Sequence, residues 1–435
     1  MLLMYVFLLH PFWWLLGLDQ VVMVVCPIAF LFDAALRRRL AYGSLWLTLT
    51  FCGILLTTLV SGVVAFSEVR AEFYFPLYIY RTTCFLGGLA TFLLVAGTCR
   101  SMQDIDHVAK CIVWTVFFSV GATAVALALS NFGPSVYRTP LNWVIPESLS
   151  QFGTVRVWLE RPIIGHGELF GSSLLRSFGL FLYSNMFAFA LETAIPLSVY
   201  LAAKNRKYWF VALVLLVGLF STLSRGGLLC LTGGALCAAI FARKTRLAPL
   251  IFGATVVGAL LLLHYVGYEN ILTPQKVMHQ TTNLIVDARE NAVEGRKIIY
   301  EETLRRAIEK PWFGWGTTRK FSKYPNWPYI GSHSTYLYWL MSAGIFGTVW
   351  FILFFIGVSW RVLGLDRSDI GRLDKNLWRF AVCGAWIVSA HAAHMIILNI
   401  QGDLYVLNLT MATWGLMWAV RKVWSQQIAA GVTKT

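Results

Sequence analysis

Apolar runs of about 18 to 25 residues recur along this chain, separated by polar stretches, and such runs have the length of helices that cross a bilayer. Inside hydrocarbon every backbone polar group must be paired within its own segment, which an α-helix achieves. The pattern therefore predicts an all-α polytopic integral membrane protein. We place twelve helices at about 2–17, 19–36, 43–66, 73–99, 108–130, 178–201, 208–223, 226–242, 248–266, 334–360, 378–400 and 404–421.

Basic clusters fall between these helices on one side of the predicted membrane. They are Arg37–Arg39, Lys204–Lys207, Arg243–Arg246, Arg361–Arg379 and Arg421–Lys422. The positive-inside rule makes that side cytoplasmic, together with both termini. Two long loops, at about 131–177 and 267–333, then face outward. The chain divides into 1–266 with helices 1–9, the outer loop 267–333, and 334–435 with helices 10–12 and a cytoplasmic C-terminus.

Composition agrees with a membrane protein, since 57% of the 435 residues are hydrophobic and only 13% are charged. The net charge of +15 lies mostly on the predicted cytoplasmic side, so it indicates contact with anionic lipid rather than nucleic acid. All eight cysteines fall in or beside apolar segments, and no CxxC motif occurs. We therefore expect neither a disulfide framework nor a metal or other cofactor.

The run Ser224-Arg225-Gly226-Gly227 lies between two apolar segments on the predicted outer side. The glycines suit a tight turn and allow another group to approach the backbone. Arg225 would stand at the start of the next helix, and a helix N-terminus with an arginine is a natural anion site. The alternative is an ordinary interfacial arginine whose charge reaches water.

The loop 267–333 contains a predicted helix from about 292 to 310, which Pro311 ends. One apolar stripe follows from helical spacing and consists of Val293, Tyr300, Leu304, Ala307 and Ile308. Arg296 lies on this stripe, and Arg289 lies on its extension. Arg296 therefore points inward, where it needs an anionic partner, either a loop carboxylate or a substrate phosphate.

The other face of this predicted helix is charged. Arg305 and Arg306 lie there at i,i+4 spacing from Glu301 and Glu302. The simplest interpretation is a solvated surface of salt bridges.

His333 follows this loop and, with Ser334, directly precedes an apolar helix. It would stand at the outer membrane boundary, where a histidine side chain titrates near neutrality. A single histidine is more often structural than catalytic. Its interest comes from position, because Arg225, Arg296 and His333 all map to the same side and depth.

Other polar residues occur near the same boundary. Arg176 precedes a predicted helix, and Asn185 lies at its mouth. Glu192 lies within that helix and should face the bundle interior, since an unpaired charge in a membrane is costly. Asp403 sits at an outer helix junction and could orient a base or an arginine. His391 and His394 share a helix face without a third ligand, which favours core packing over a metal site.

Taken in order, these motifs resemble the O-antigen ligase and polymerase superfamily of bacterial cell envelopes. The resemblance covers about residues 170 to 350 and rests on Arg176 with Gly179 and Asn185, Ser224–Gly227, Arg296, Trp312–Gly316, His333–Ser334, Gly344 and Gly347. The layout is most similar to the ligases, which have twelve helices and one dominant outer loop. Two features differ or are ambiguous: Ser334 stands where the family often has asparagine, and an Arg-x10-Gly spacing typical of polymerases occurs once, from Arg305 to Gly316.

The resemblance implies a donor glycan linked to undecaprenyl diphosphate (the lipid-linked O-antigen) and a sugar hydroxyl of lipid A-core as acceptor. It implies that Arg225 and Arg296 bind the diphosphate, that His333 is the base, and that no metal takes part. It places the protein in the inner membrane with its catalytic loop in the periplasm. The open alternatives are a polymerase or protein O-oligosaccharyltransferase of the same superfamily, and a lipid-linked oligosaccharide flippase.

Overall fold

The computed structural model describes residues 2–37, 44–67, 71–129, 136–145, 159–169, 172–242, 290–319, 330–331, 333–365 and 375–429. These residues are mostly helical. The helices are α1 Leu2–Leu8, α2 His10–Leu16, α3 Asp19–Leu36, α4 Leu45–Phe66, α5 Ala71–Thr98, α6 Met102–Leu129, α7 Ser184–Ala202, α8 Lys207–Ser221, α9 Arg225–Phe241, α10 Glu290–Glu309, α11 Thr335–Leu363, α12 Lys375–Ile397 and α13 Leu404–Ala429.

Seven of the described helices are long and apolar enough to cross a membrane, namely α3 to α7, α11 and α12. Two shorter apolar helices, α8 and α9, lie among them. Helix α7 is the most enclosed of these seven, since 94% of its apolar window is buried, and in α13 every residue from 404 to 420 is buried. The expected multi-pass helical membrane protein is therefore supported, whereas the count of twelve helices is not settled.

Most predicted helices have a counterpart at nearly the predicted position. The predicted helix 2–17 is two helices, α1 and α2, and Gly17 ends the second with a φ of 81°. The predicted helix 248–266 lies outside the described residues. The loop helix predicted at 292–310 corresponds to α10.

The prediction of one continuous helix at 334–360 was wrong, because α11 is broken at Gly344, where φ is 68° and ψ is −164°. The turn that follows α10 inserts its backbone into this break. The Trp315 N–H donates to the Met341 carbonyl at 2.8 Å, and the Ile345 N–H donates to the Pro311 carbonyl at 2.7 Å. Backbone groups released by the break thus find partners in the turn, which apolar surroundings require.

The all-α prediction also omitted two small antiparallel sheets in the loop that precedes α7. Strand β1, Val136–Arg138, pairs with β2, Glu160–Pro162. Strand β3, Ile164–Leu169, pairs with β4, Ser172–Ser177. A buried ion pair between Arg161 and Asp19, with an N–O distance of 2.5 Å, attaches this region to the start of α3.

The helices that carry the predicted site residues pack around one end of the bundle. Helix α12 lies against α9, α7 and α11, and α13 lies against α5 and α11. Helices α7, α9, α11 and α13 begin at the end of the bundle where α12 ends, and the turn after α10 docks on α4 and α11 at this end. We call this the loop end. Several helix N-termini meet there, and their unsatisfied N–H groups and dipoles favour negative charge.

Candidate functional site

The N-terminus of α9 forms the first part of the site. Ser224 is its N-cap, because the Ser224 Oγ accepts the backbone N–H of Gly227 at 3.2 Å. Leu223 before it has a φ of 51°, in the left-handed region that a tight turn uses. Arg225 is the first residue of α9 and is half-buried. The predicted turn and the position of Arg225 at a helix start are confirmed.

Arg176 connects three segments beside this turn. Its Nε donates to the Thr222 carbonyl at 2.7 Å, and its Nη2 donates to the Asn185 Oδ1 at 2.7 Å. The Ser224 Oγ donates to the same Asn185 oxygen at 3.2 Å. We call Arg176, Asn185, Ser224 and Arg225 the arginine cluster. The tertiary structure thus joins residues of β4, α7 and the α9 turn through direct hydrogen bonds.

The two glycines after Arg225 let α9 approach its neighbours closely. A Cβ on Gly226 would lie 2.4 Å from the Ile397 Cδ1, and a Cβ on Gly227 would lie 2.8 Å from the Ala188 Cβ. Both distances are too short for a real side chain. The start of α9 therefore rests against α7 and against the last residue of α12.

His333 lies just before α11 and is half-buried. Its backbone carbonyl accepts the hydroxyl of Tyr300 at 3.3 Å, and the same hydroxyl reaches the Ile396 carbonyl at 3.2 Å. Ser334 is the N-cap of α11, and its Oγ donates to the Met395 carbonyl at 3.2 Å. These contacts attach His333 to the last turn of α12.

The last turn of α12 is consequently the common support of the site. Gly226, next to Arg225, packs on Ile397, while His333 is tied through Tyr300 to Ile396. Two residues that are more than a hundred positions apart in the chain are therefore held by one helical turn.

Arg296 lies in α10, one turn before Tyr300, so α10 brings its backbone to the same end of the bundle. The structure describes the backbone of Arg296, and its inward orientation remains a prediction. Arg289 lies outside the described residues. The link from Tyr300 to His333 connects the predicted arginine helix with the predicted base.

The predicted apolar stripe of α10 was partly wrong. Leu304 is 48% exposed and Ile308 is 77% exposed, whereas Ile299, Thr303 and Ala307 form the buried face. A polar contact explains part of the difference, because the Thr303 Oγ1 accepts the backbone N–H of residue 331 at 3.0 Å. A hydropathy pattern does not anticipate that a threonine faces inward.

The predicted salt-bridged surface of α10 is confirmed, and Glu309 adds a partner that the sequence analysis did not name. Arg305 pairs with Glu302 at 2.5 Å, and Arg306 pairs with Glu302 at 3.2 Å. Both arginines also reach Glu309 at 3.2 Å. Hydrogen bonds from Arg305 and Arg306 hold the pKa of the Glu302 carboxyl below its usual range.

Asp403 is buried at the N-cap of α13. Its Oδ1 accepts the N–H of Tyr405 at 2.9 Å and that of Val406 at 3.2 Å, and its Oδ2 accepts the N–H of Leu182 at 3.0 Å. Burial raises the pKa of Asp403 to about 6. The described partners are backbone groups, so Asp403 positions the turn before α7, which carries Asn185.

Glu192 faces the bundle interior, as predicted for a charge within a membrane helix. Its Oε1 lies 2.6 Å from the Nδ1 of His394, and both side chains are buried. His391 lies between Thr193, whose Oγ1 is 2.9 Å from its Nε2, and Trp414, whose indole N–H donates to its Nδ1 at 3.2 Å. Both histidines thus belong to a buried hydrogen-bonded network between α7, α12 and α13.

Sequence reasoning missed the contributions of Thr222 and Tyr300. The carbonyl of Thr222 orients Arg176, and the hydroxyl of Tyr300 bridges two carbonyls. The first contact uses a backbone atom and leaves no signal in the sequence. For Tyr300 the signal was a polar tip on an apolar stripe, which favours a buried partner. Within the described residues no group of three or more His, Cys, Asp or Glu side chains could hold a metal ion.

The fold and the site define a class: a multi-pass helical membrane protein with arginines and a histidine gathered at one end of its bundle. Residues 210–352, about a third of the chain, match the family model described as O-Antigen ligase, and this match supports membership of the O-antigen ligase superfamily. The matched stretch includes Ser224, Arg225, Gly226, Arg296, His333 and Ser334. No curated protein matches the chain.

Proposed function

We propose that this protein is an O-antigen ligase, which transfers a glycan from undecaprenyl diphosphate to a sugar hydroxyl of lipid A-core. The observation that carries the proposal is that Gly226, next to Arg225, packs on the last turn of α12, to which His333 is also tied through Tyr300. A cation for a diphosphate and a base for a hydroxyl are the two groups that this displacement needs. The reaction would complete lipopolysaccharide on the periplasmic face of the inner membrane of a Gram-negative bacterium.

The arginines are proposed to bind the donor diphosphate. Arg225 lies at the N-terminus of α9, where the guanidinium and the helix dipole act on the same anion. Arg296 and Arg289 would add charge from the loop that contains α10. Arg176 would share in binding the diphosphate while its hydrogen bonds keep Asn185 and Ser224 in place.

His333 is proposed to remove the proton from the acceptor hydroxyl. The oxygen would then attack the anomeric carbon as the bond from that carbon to the diphosphate oxygen breaks. The proton moves to the imidazole, and the electron pair leaves with undecaprenyl diphosphate, whose growing negative charge the arginines stabilise. A single displacement of this kind inverts the anomeric centre.

Three further residues have supporting roles in this proposal. Gly226 allows the close packing of α9 on α12, and Ser334 caps α11 and ties His333 to the same turn. Asp403 fixes the turn that leads to Asn185. Diphosphate is already a good leaving group, so we expect neither a metal ion nor another cofactor to be required.

The proposal can be tested with purified protein, an undecaprenyl-diphosphate glycan and lipid A-core, with and without a chelator. We expect glycan on lipid A-core at a rate that the chelator does not change. Longer glycan on the donor lipid, with none on lipid A-core, would identify a polymerase instead. Consumption of neither substrate would reject glycan transfer between them, and loss of product with chelator would reject the metal-independent mechanism.

A further inference from the structure

A second polar cleft lies at the loop end, between α4, α5, α11 and the segment before α13. It shares no lining residue with the arginine cluster. The side chains that give it a polar lining include Thr58, Ser61, Arg81, Thr82, Ser342 and Gln401. None of these residues has a part in the reaction proposed above.

Arg81 places a positive charge in this cleft. It lies within the apolar helix α5 and is half-buried, with its guanidinium carbon 5.3 Å from the centre of the Tyr338 ring. No ion pair between described residues involves Arg81. A cation within a membrane helix is unfavourable unless an anion compensates its charge. The position of Arg81 therefore favours a negatively charged ligand.

Three residues that line the cleft carry hydrogen-bonding atoms that remain unsatisfied. The Arg81 Nη1, the Thr58 Oγ1 and the Trp339 Nε1 are buried and have no hydrogen-bond partner among the described residues. Each unsatisfied buried donor costs about 1–3 kcal/mol. Trp339 is only 3% exposed and its ring stacks on Phe351, so the indole N–H is held away from water. Unsatisfied donors on residues that line one cleft with a cation are suited to the oxygens of an anion.

The depth of the cleft indicates the kind of anion. Ser61 lies five residues before the end of α4, and Tyr338 lies three residues after the start of α11. At a rise of about 1.5 Å per residue, these positions are roughly 5–8 Å below the helix ends. Lipid headgroups occupy this depth at a membrane boundary. Phe85 and Ala343 line the remaining wall and offer apolar contact to the body of a lipid.

A second cation lies close to this cleft. The Arg319 guanidinium carbon is 3.8 Å from the centre of the Tyr74 ring, which lies two turns before Arg81 on α5. Two arginines on one side of α5 raise the local positive potential and favour a phosphate over a neutral group.

We propose that the cleft around Arg81 is a second anion site, which binds the phosphate of a lipid headgroup at the loop end. Phosphate supplies several oxygens, enough to accept hydrogen bonds from Arg81, Thr58 and Trp339 together. The site is separate from the proposed diphosphate site at Arg225, and its existence does not depend on the transfer reaction.

The test measures equilibrium binding of dodecyl phosphate to the full-length protein in maltoside detergent, in an Arg225→Gln background that weakens the other site. We expect one saturable site, with the affinity lowered at least tenfold by Arg81→Gln and about tenfold by Trp339→Phe. Arg138→Gln is the matched control, since that arginine side chain is 72% exposed at the protein surface. Its affinity for dodecyl phosphate should equal that of the background protein.

Trp339→Phe keeps the test decisive if Arg81→Gln does not fold. This substitution removes an unsatisfied N–H and keeps most of the aromatic ring. The melting temperature should therefore stay the same while the affinity for dodecyl phosphate falls. The proposal would be overturned if Trp339→Phe left the affinity for dodecyl phosphate unchanged. It would also be overturned if Arg138→Gln lowered that affinity as much as Arg81→Gln does. Absence of saturable binding to the background protein would likewise overturn it. Inorganic phosphate that binds as tightly as dodecyl phosphate would overturn the lipid headgroup as the ligand.

Discussion

Gly314 and Gly344 meet backbone to backbone, so that a Cβ on Gly314 would lie 2.7 Å from the Gly344 nitrogen. Both have a positive φ, 64° and 68°, which favours glycine. This close contact holds the backbone of the turn after α10 in the break of α11. Helix α10, with Arg296, and helix α11, which His333 precedes, are joined at this point.

Gly344→Ala should therefore destabilise the protein by about 2 kcal/mol or more, because a side chain at that backbone conformation is strained. A Cβ there would also lie 2.4 Å from the carbonyl group of Trp312. Thermal unfolding in detergent measures the effect. Gly233→Ala is the control, because its Cβ would meet nothing within 4 Å. Alanine in place of glycine within a helix should raise the free energy of unfolding by up to about 1 kcal/mol. Equal melting temperatures for the two variants would contradict the role of the break.

Arg176→Lys should lower the rate of glycan transfer by about tenfold or more. Arg176 donates from Nε and Nη2 in two directions, to Thr222 and Asn185, and a lysine ammonium lacks this rigid fork. The rate is measured in the reconstituted transfer assay, with Arg138→Lys as the exposed control. Full activity of Arg176→Lys would show that the geometry of the arginine cluster is unimportant.

Arg225→Lys should not restore the activity that Arg225→Ala loses. A diphosphate binds a guanidinium through paired hydrogen bonds, whereas an ammonium acts as a point charge. The measurement is donor affinity together with turnover for both variants. A lysine variant with wild-type affinity would reduce the role of Arg225 to charge alone.

His333→Ala should lose turnover by about 10²- to 10⁴-fold while it still binds the donor. The reason is that the proposed base acts on the acceptor hydroxyl and not on the diphosphate. Donor binding and single-turnover transfer are measured side by side. His107→Ala, near the opposite end of the bundle, should leave both unchanged. An active His333→Ala variant would reject the assignment of the base.

Asp403 should make stability depend on pH. Burial raises its pKa to about 6 in the folded protein, above its ordinary value, so the folded state favours the protonated acid. Its stabilising contribution is complete below the ordinary value of about 4 and is lost as pH rises through about 6. The difference in melting temperature between wild type and Asp403→Asn should change between pH 4 and pH 6.5. A constant difference over that range would contradict the shifted pKa.

Periodicity and local motifs predicted much of the local structure. Most apolar segments are helices near their predicted bounds, Arg225 stands at the start of α9, and Glu192 faces the bundle interior. These features depend on residues close together in the chain or on the hydrophobic effect. The hydrophobic effect is non-directional, so burial can be predicted without knowing which side chains will be in contact. The break at Gly344 was missed because its cause is a turn about thirty residues earlier that supplies hydrogen bonds to its backbone.

For this protein the sequence by itself determined the class: a helical membrane chain whose arginines and histidine cluster at one boundary. That follows because hydrophobic length, charge asymmetry and helix caps are local properties. Only the tertiary structure decided which of these residues meet. Arg176 reaches Asn185. Gly226, next to Arg225, packs on the end of α12, and a hydroxyl on α10 ties His333 to the same turn. Such contacts depend on shape and hydrogen bonding between distant segments, which a linear pattern does not contain.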